Sequence, residues 1–295
     1  MPSLPSNTST SPSATSPSAP SEARPAWPLA PWRLLVETKP RTGAENMALD
    51  EAIMDAVARG DAPATLRFYQ WAPPCISLGK RQPLDSVDLK RCVRDGVDVA
   101  RRATGGFAIL HTDELTYSIA CSPDDPRATG PVLDAYRSLS RGLIAGLAQM
   151  GIAAQMRPPE PGGVQNASAA CFEVPSAYEI TVAGRKLLGS AQTRPAGRVL
   201  QHGSLPLRGD IARLVEYLTF ETENERSELT DRLREHATTL GEVLGREIGF
   251  DETAQALIVG FATALHLTLA PGELTAAERA AAHALLAEKA VAVGV

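Results

Sequence analysis

Residues 169–207 read AACFEVPSAYEITVAGRKLLGSAQTRPAGRVLQHGSLPL. Tyr178, Ile180 and Val182 alternate with Glu179 and Thr181, Ala183-Gly184 reverses the chain, and Leu187-Leu188 resumes an apolar run. That is a strand, a tight turn and a return strand that begins at Lys186. Cys171 precedes the first strand on a loop segment, so folding can bring its thiol and the Lys186 ammonium to one end of the sheet. A cation beside a thiol favours the nucleophilic thiolate, and an ammonium also stabilises the oxyanion formed when a thiolate attacks a carbonyl. Spacing alone favours the plainer reading, a buried structural cysteine near a surface lysine.

A chain of 295 residues with 44% hydrophobic content can bury a sizeable core. A net charge of −5 leaves no basic footprint for nucleic acid. A local basic patch is still possible from Arg101, Arg102, Lys186, Arg194 and Arg198. The four cysteines, Cys75, Cys92, Cys121 and Cys171, form no CxxC pair and no zinc spacing with histidine, so no metal site is expected. Four thiols without a secretory signal fit a reducing cytoplasm. Cys75, Cys92 and Cys121 read as packing residues.

Residues 1–31, rich in Ser and Pro, read as a disordered tail that buries nothing, so deletion to about residue 28 is expected to be neutral. No uninterrupted apolar stretch is long enough to span a membrane. A strand is expected over 32–38, a core-facing helix over 44–59, strands over 65–69 and 75–78, and a helix over 85–94. A strand over 97–102 runs into Thr104-Gly105-Gly106, where the double glycine turns sharply and leaves backbone N–H groups open. Residues 109–111 and 115–121 are expected to continue the sheet. The amphipathic helix over 131–150 reads as structural. The connector 158–170 delivers Cys171. Beyond residue 209 the pattern is helical, with segments at 210–218, 225–235, 237–245, 251–264 and 273–290 and a capping box at Thr275 and Glu278.

GRKLLGSAQTR (184–194) followed by LQHGSLPL (200–207) resembles the core signature of the lipoate–protein ligase and octanoyltransferase family. RRATGGFAILHTDELTYS (101–118) resembles that family's arginine and double-glycine loop with its histidine and strand. ENMALDEAIM (45–54) and TLRFYQWAPPCISLGKRQ (65–82) match in the same order, so the resemblance runs from about residue 33 onward.

The resemblance implies an α/β (α+β) fold: a central mixed β-sheet flanked by helices, with a catalytic domain over 32–208 and a helical C-terminal extension over 209–295. It implies an acyl pocket between the 101–111 loop and the Lys186 hairpin. Cys171 and Lys186 are the implied catalytic residues. Arg101, Arg102, Thr104, Gly105, Gly106, His111, Gly189, Ser190, Ala191, Gln192, His202 and Gly203 are the implied substrate-binding residues. Two chemistries share the fold. Ligases activate free lipoate with ATP and Mg and need no protein nucleophile, whereas octanoyltransferases carry octanoate from acyl carrier protein through a cysteine thioester and need no cofactor. The position of Cys171 in ACFEVPSAYE resembles the transferase branch, as does PGELTAAE (271–278), and the Asn-Asp pair usual in ligases is replaced here by Ala177-Tyr178. The end, AEKAVAVGV, departs from that branch by lacking a tyrosine and a tryptophan. The implied acceptor is a lysine on a lipoyl domain, of a glycine-cleavage carrier or a 2-oxoacid dehydrogenase. The alternatives are ATP-dependent ligation, octanoyl amidotransfer between lipoyl domains, and a non-catalytic binding module.

Overall fold

The computed structural model describes residues 27–157 and 179–291; Cys171, Tyr178 and the connector 158–170 lie outside them. In chain order the elements are β1 (Ala30–Val36), α1 (Gly43–Arg59), β2 (Thr65–Tyr69), β3 (Cys75–Leu78), α2 (Leu89–Asp95), β4 (Asp98–Arg101), β5 (Ile109–His111), β6 (Glu114–Cys121), α3 (Val132–Gln149), β7 (Gln155–Arg157), β8 (Glu179–Val182), β9 (Arg185–Thr193), β10 (Val199–Pro206), α4 (Glu223–His236), α5 (Leu240–Leu244), α6 (Phe250–Leu265), β11 (Leu267–Pro271) and α7 (Ala276–Lys289). The main sheet has eight strands in the order β11-β1-β2-β6-β10-β9-β8-β7. β11, β1 and β2 are parallel and the other neighbours antiparallel. The α/β architecture with a central mixed sheet flanked by helices is therefore as the sequence implies.

Three features depart from the sequence reading. Strands β3, β4 and β5 do not continue the main sheet but form a separate one in the order β4-β3-β5. Both edges of β2 are already taken, by β1 and β6, so β3 must find partners elsewhere. The segment after residue 209, read as purely helical, contributes β11 to the edge of the main sheet, pairing Ala30 with Leu267. Most of β11 is outside the core and it ends in Pro271, as an edge strand tolerates, which is why no hydrophobic alternation marks it. Residues 211–217 form 3-10 turns rather than an α-helix.

The strands of the main sheet are covered on both faces. Leu66, Phe68, Leu115, Tyr117 and Ile119 point to a core completed by Leu139, Leu143 and Leu147 of α3 and by Leu257 and Phe261 of α6. Leu35, Ala120 and Leu200 point the other way, toward Leu49, Ile53 and Val57 of α1. Helix α1 starts at a capping box, Thr42 with Glu45, and stops at Gly60 in the left-handed conformation. Helix α7 starts at the expected box, Thr275 with Glu278. The same Glu278 accepts two hydrogen bonds from Arg33 of β1, at 2.9 and 2.5 Å, while Arg33 Nε donates to Thr65 of β2. Breaking such a buried pair by removing one partner costs about 3–5 kcal/mol.

Helices α3 and α6 meet at glycines. A Cβ at Gly260 would lie 2.1 Å from the Gly146 backbone nitrogen and 2.6 Å from the Gly142 carbonyl oxygen. Backbone cannot rotate aside as a side chain can, so Gly260→Ala should lower stability by about 1–3 kcal/mol, read from the urea midpoint at unchanged m-value.

Residues 27 and 28, within the segment read as a tail that buries nothing, make contacts with the fold. His266 Nδ1 donates to the Trp27 carbonyl at 2.7 Å, Arg127 Nη2 donates to the Pro28 carbonyl at 2.5 Å, and Trp27 packs on the main core. Deletion through residue 28 removes these contacts and is expected to cost stability. A chain starting at residue 29 should melt several degrees below one starting at residue 27, measured by differential scanning calorimetry.

Candidate active site

One row of side chains on the main sheet is polar although fully covered. On the α1 face stand Arg67 and Tyr69 of β2, Glu114, Thr116 and Ser118 of β6, and His202 and Ser204 of β10, all buried. Burying such groups without partners costs several kcal/mol each, so the row must be satisfied internally. Two carboxylates do this. Asp50, on α1, accepts from Arg67 Nη1 at 2.8 Å, Ser118 Oγ at 2.7 Å, Tyr69 Oη at 2.8 Å and His202 Nδ1 at 3.0 Å. Glu114 accepts from His111 Nδ1 at 2.8 Å, Ser204 Oγ at 2.6 Å and Thr116 Oγ1.

Burial pushes the Asp50 carboxyl up, but the His202 hydrogen bond and the Arg67 charge outweigh it and hold Asp50 below its ordinary range. Glu114 is likewise raised by burial and brought below its usual value by the charge and hydrogen bond of His111 and by Ser204 and Thr116. Both are ionised acceptors near neutral pH, so each fixes the proton of its histidine on Nδ1. The two Nε2 atoms face hydroxyls: His202 meets Thr104 Oγ1 at 2.7 Å and His111 meets Ser77 Oγ at 2.7 Å. The His111 ring is also stacked on Trp71, with centroids 3.9 Å apart and planes 10° from parallel.

Of these groups Tyr69, Ser77, His111, Thr116, His202 and Ser204 line a mainly apolar cavity of about 500 Å³, within the size range of small-molecule sites. Met47 of α1, Tyr69, Trp71, Ile109 and the first turn of α3, with Val132, Leu133 and Tyr136, supply much of its wall. Of the residues singled out in the sequence, Arg102, Gly105, Gly106, His111, Gly189, Ser190, Ala191, Gln192, His202 and Gly203 all line it. Gly203 is required there, because a Cβ would lie 2.5 Å from both the Gly189 carbonyl oxygen and Ser190 Oγ. Tyr117 donates to Ser190, and Gln201 donates to Tyr117 and Ser140 behind this part of the wall.

Thr104 stands behind the wall, holding His202. Arg101 is not at the cavity: its guanidinium donates to the carbonyls of Gly79 and Gln82 and braces that loop. Arg102, Arg194 and Arg198, singled out for a basic patch, are hydrogen-bonded within the protein. Arg102 donates to the carbonyls of Ser77, Gly105 and Phe107, Arg194 to those of Ala128 and Gly130, and Arg198 to Asp55. In each case the nearest strong acceptor is a carbonyl or carboxylate of the protein itself, and those contacts shape the loops.

Lys186 is the second residue of β9 and 3% exposed, with Nζ 2.6 Å from Glu179 Oε1 across the hairpin. Its side chain runs to Gly189 of the cavity wall, where a Cβ would lie 3.7 Å from Nζ. Its carbonyl accepts from Thr238 N at 2.9 Å, so the segment after α4 pins the hairpin in place. Cys171 lies outside the described residues. The described cysteines are all buried: the thiols of Cys75 and Cys121 are pushed well up by burial, and that of Cys92 to about 11. None is suited to act as a thiolate near neutral pH.

Sequence reasoning missed Asp50, Glu114, Ser77, Trp71 and the first turn of α3. Asp50 carries a visible signal, a carboxylate at helical spacing from Met47, Ile53 and Met54 on a helix read as core-facing. The α3 turn carries none, because Val132 and Leu133 look like ordinary members of an apolar stripe.

The chain is 44% identical to octanoyltransferase LipM of Kyrpidia tusciae over 262 residues, covering 87% of this chain and 95% of that protein. It is 44% identical to octanoyltransferase LipM of Symbiobacterium thermophilum over 263 residues, covering 88% and 95%. Among solved structures, the bipartite lipoate protein ligase of Thermoplasma acidophilum aligns with a TM-score of 0.73 at 25% identity, covering 88% of this chain and 93% of the other. A lipoate-protein ligase A bound with ATP aligns at 0.71 and 25%, covering 88% and 95%. The lipoyl protein ligase A/B catalytic domain matches residues 42–262, and the chain belongs to that family.

Proposed function

We infer that this chain is an octanoyltransferase of lipoate biosynthesis and acts on lipoyl-domain proteins. The observation that carries the reading is a buried ammonium, Lys186, against the wall of an apolar cavity, in a chain 44% identical to LipM octanoyltransferases over most of its length. The donor is octanoyl-acyl carrier protein and the nucleophile is Cys171. Elimination supports that choice, since burial disqualifies the other three thiols.

The Cys171 thiolate attacks the octanoyl thioester, the carrier's pantetheine thiol leaves, and an octanoyl-cysteine forms with its chain in the cavity. A lysine amine of the acceptor domain then attacks the same carbonyl, loses a proton, and releases Cys171. Replacing a thioester by an amide is downhill, so neither ATP nor a resident cofactor is needed, and the enzyme positions reactants and stabilises charge. Lys186 handles the amine's proton and the oxyanion; its burial and its Glu179 partner fix the ammonium in place. This chemistry fits a cytoplasmic setting, and among the described residues no helix is long and apolar enough to cross a membrane. The acceptor is a glycine-cleavage carrier or a dehydrogenase subunit.

A second reading, ATP-dependent ligation, is favoured by the alignment with ATP-bound lipoate-protein ligase A. Incubation with octanoyl-acyl carrier protein without ATP separates the two. An octanoyl adduct in the intact mass is the expected result; acyl transfer only from free acid plus ATP would establish ligation, and transfer only from an octanoylated lipoyl domain would establish amidotransfer.

Cys171→Ala should lose carrier-dependent transfer and the adduct, with its melting temperature unchanged. Substitution of Cys92 or Cys121 by alanine should cost stability while leaving the specific activity of the folded fraction unchanged. Full turnover by Cys171→Ala would refute the covalent route.

Lys186→Arg keeps the charge but cannot release its proton near neutral pH. The second half-reaction should slow by about 10²–10⁴-fold, so that acyl-enzyme accumulates in a quenched-flow mass measurement. Normal transfer would show that Lys186 has no proton role.

A further inference from the structure

The cavity wall contains a second set of groups arranged for acyl transfer, independent of Cys171. Ser77 of β3 lines the cavity, and its Oγ lies 2.7 Å from His111 Nε2. His111 Nδ1 lies 2.8 Å from Glu114 Oε1. Glu114 accepts from Ser204, Thr116 and His111 Nδ1, so the ring donates to it through Nδ1, and Nε2 is the nitrogen placed to accept from the Ser77 hydroxyl. Stacking on Trp71 locks the ring in that orientation, and Ser204 and Thr116 hold the Glu114 carboxylate from behind. Arg102 Nη1 donates to Ser77 Oγ at 3.2 Å, which orients the hydroxyl and places a guanidinium beside the nucleophilic oxygen. Nucleophile, base and orienting carboxylate are each within hydrogen-bond reach of the next, as acyl transfer from a hydroxyl requires.

The same order of carboxylate, histidine and hydroxyl recurs at Asp50, His202 and Thr104, but Thr104 stands behind the wall. Ser77 lines the apolar cavity, so of the two hydroxyls its own alone is placed to meet an acyl carbon there.

We propose that Ser77, His111 and Glu114 form an acyl-accepting centre that takes and hydrolyses esters or thioesters of straight medium-chain acids in this cavity without Cys171. In the first step Ser77 Oγ bonds to the acyl carbon, its proton passes to His111 Nε2, and the alcohol or thiol leaves with that proton. In the second, water gives a proton to His111 and its oxygen to the acyl carbon, releasing the free acid and restoring Ser77. No oxidant, metal or nucleotide enters.

The test uses the full-length Cys171→Ala protein, with p-nitrophenyl octanoate as substrate and a fluorophosphonate as active-site probe, and no acyl carrier protein or lipoyl domain. The expected result is hydrolysis above buffer, a phosphonate adduct that peptide mass mapping places on Ser77, and a fall of about 10²-fold or more on adding Ser77→Ala or Glu114→Gln. The p-nitrophenyl acetate rate should be lower than the octanoate rate because the cavity is left unfilled. An unmodified Ser77 in a Cys171→Ala protein that melts like the parent, or a hydrolysis rate that survives Ser77→Ala, would overturn the proposal. Should Ser77→Ala fail to fold, the mapping alone decides, since it keeps Ser77. The transfer reading rests on Cys171 and is untouched by either outcome.

Discussion

The Asp50 carboxylate, buried on α1 and accepting four hydrogen bonds from β2, β6 and β10, is the constraint on which the site depends. An ion in that position is tolerable only if every lone pair is used, and removing a partner from such a buried pair costs about 3–5 kcal/mol. Arg67 in turn reaches Glu37 at the end of β1 and the side chain of Asn46 on α1. One carboxylate thereby fixes the register of α1 against three strands. It also sets the tautomer of His202, and through His202 it holds Thr104 at the start of the Gly105-Gly106 loop. The loop that forms part of the cavity wall is placed by the same network that holds the sheet to its helix.

The two faces of the main sheet divide the labour. On one face apolar side chains from β2 and β6 pack against α3 and α6, whose close approach is set by Gly142, Gly146 and Gly260. On the other, alternate residues of the same strands are polar and buried against α1. Strand alternation normally separates a wet face from a dry one. Here both are dry, and the polar row is retained because its hydrogen bonds close on themselves, leaving histidines with fixed tautomers beside an apolar cavity. That combination, a space for an alkyl chain bordered by oriented donors and acceptors, is what acyl chemistry needs.

Much of the molecule was legible because its signals are local. The hairpin carrying Lys186 follows from the alternation around Ile180 and the Ala183-Gly184 turn, and β8 and β9 lie there. Capping at Thr275 and Glu278 reads directly from four residues. The blocks around Gly105, His111, Gly189 and His202 resemble the family's; β9 and β10 are neighbours in the main sheet, and His111 of β5 is tied to that sheet by its hydrogen bond to Glu114 of β6. What was misread is non-local. β11 has little burial of its own and exists because β1 offers it an edge. Arg101 looked like its neighbour Arg102, yet only Arg102 faces the cavity, because successive side chains on an extended backbone point to opposite sides.

Consecutive residues carry the type of most elements, the apolar stripes and the family to which the chain belongs, since periodicity, caps and motif spacing are local, but they did not show β11 or the 3-10 turns at 211–217. Tertiary structure alone decided that β3, β4 and β5 form a sheet of their own and that an apparently structural helix lends Val132 and Leu133 to the cavity. It alone decided that Asp50 and Glu114 each hold a histidine. These outcomes depend on which strand edges are already occupied and on which carboxylates lie within 3.0 Å of an imidazole once the chain is closed, and no run of neighbouring residues encodes a distance across the fold.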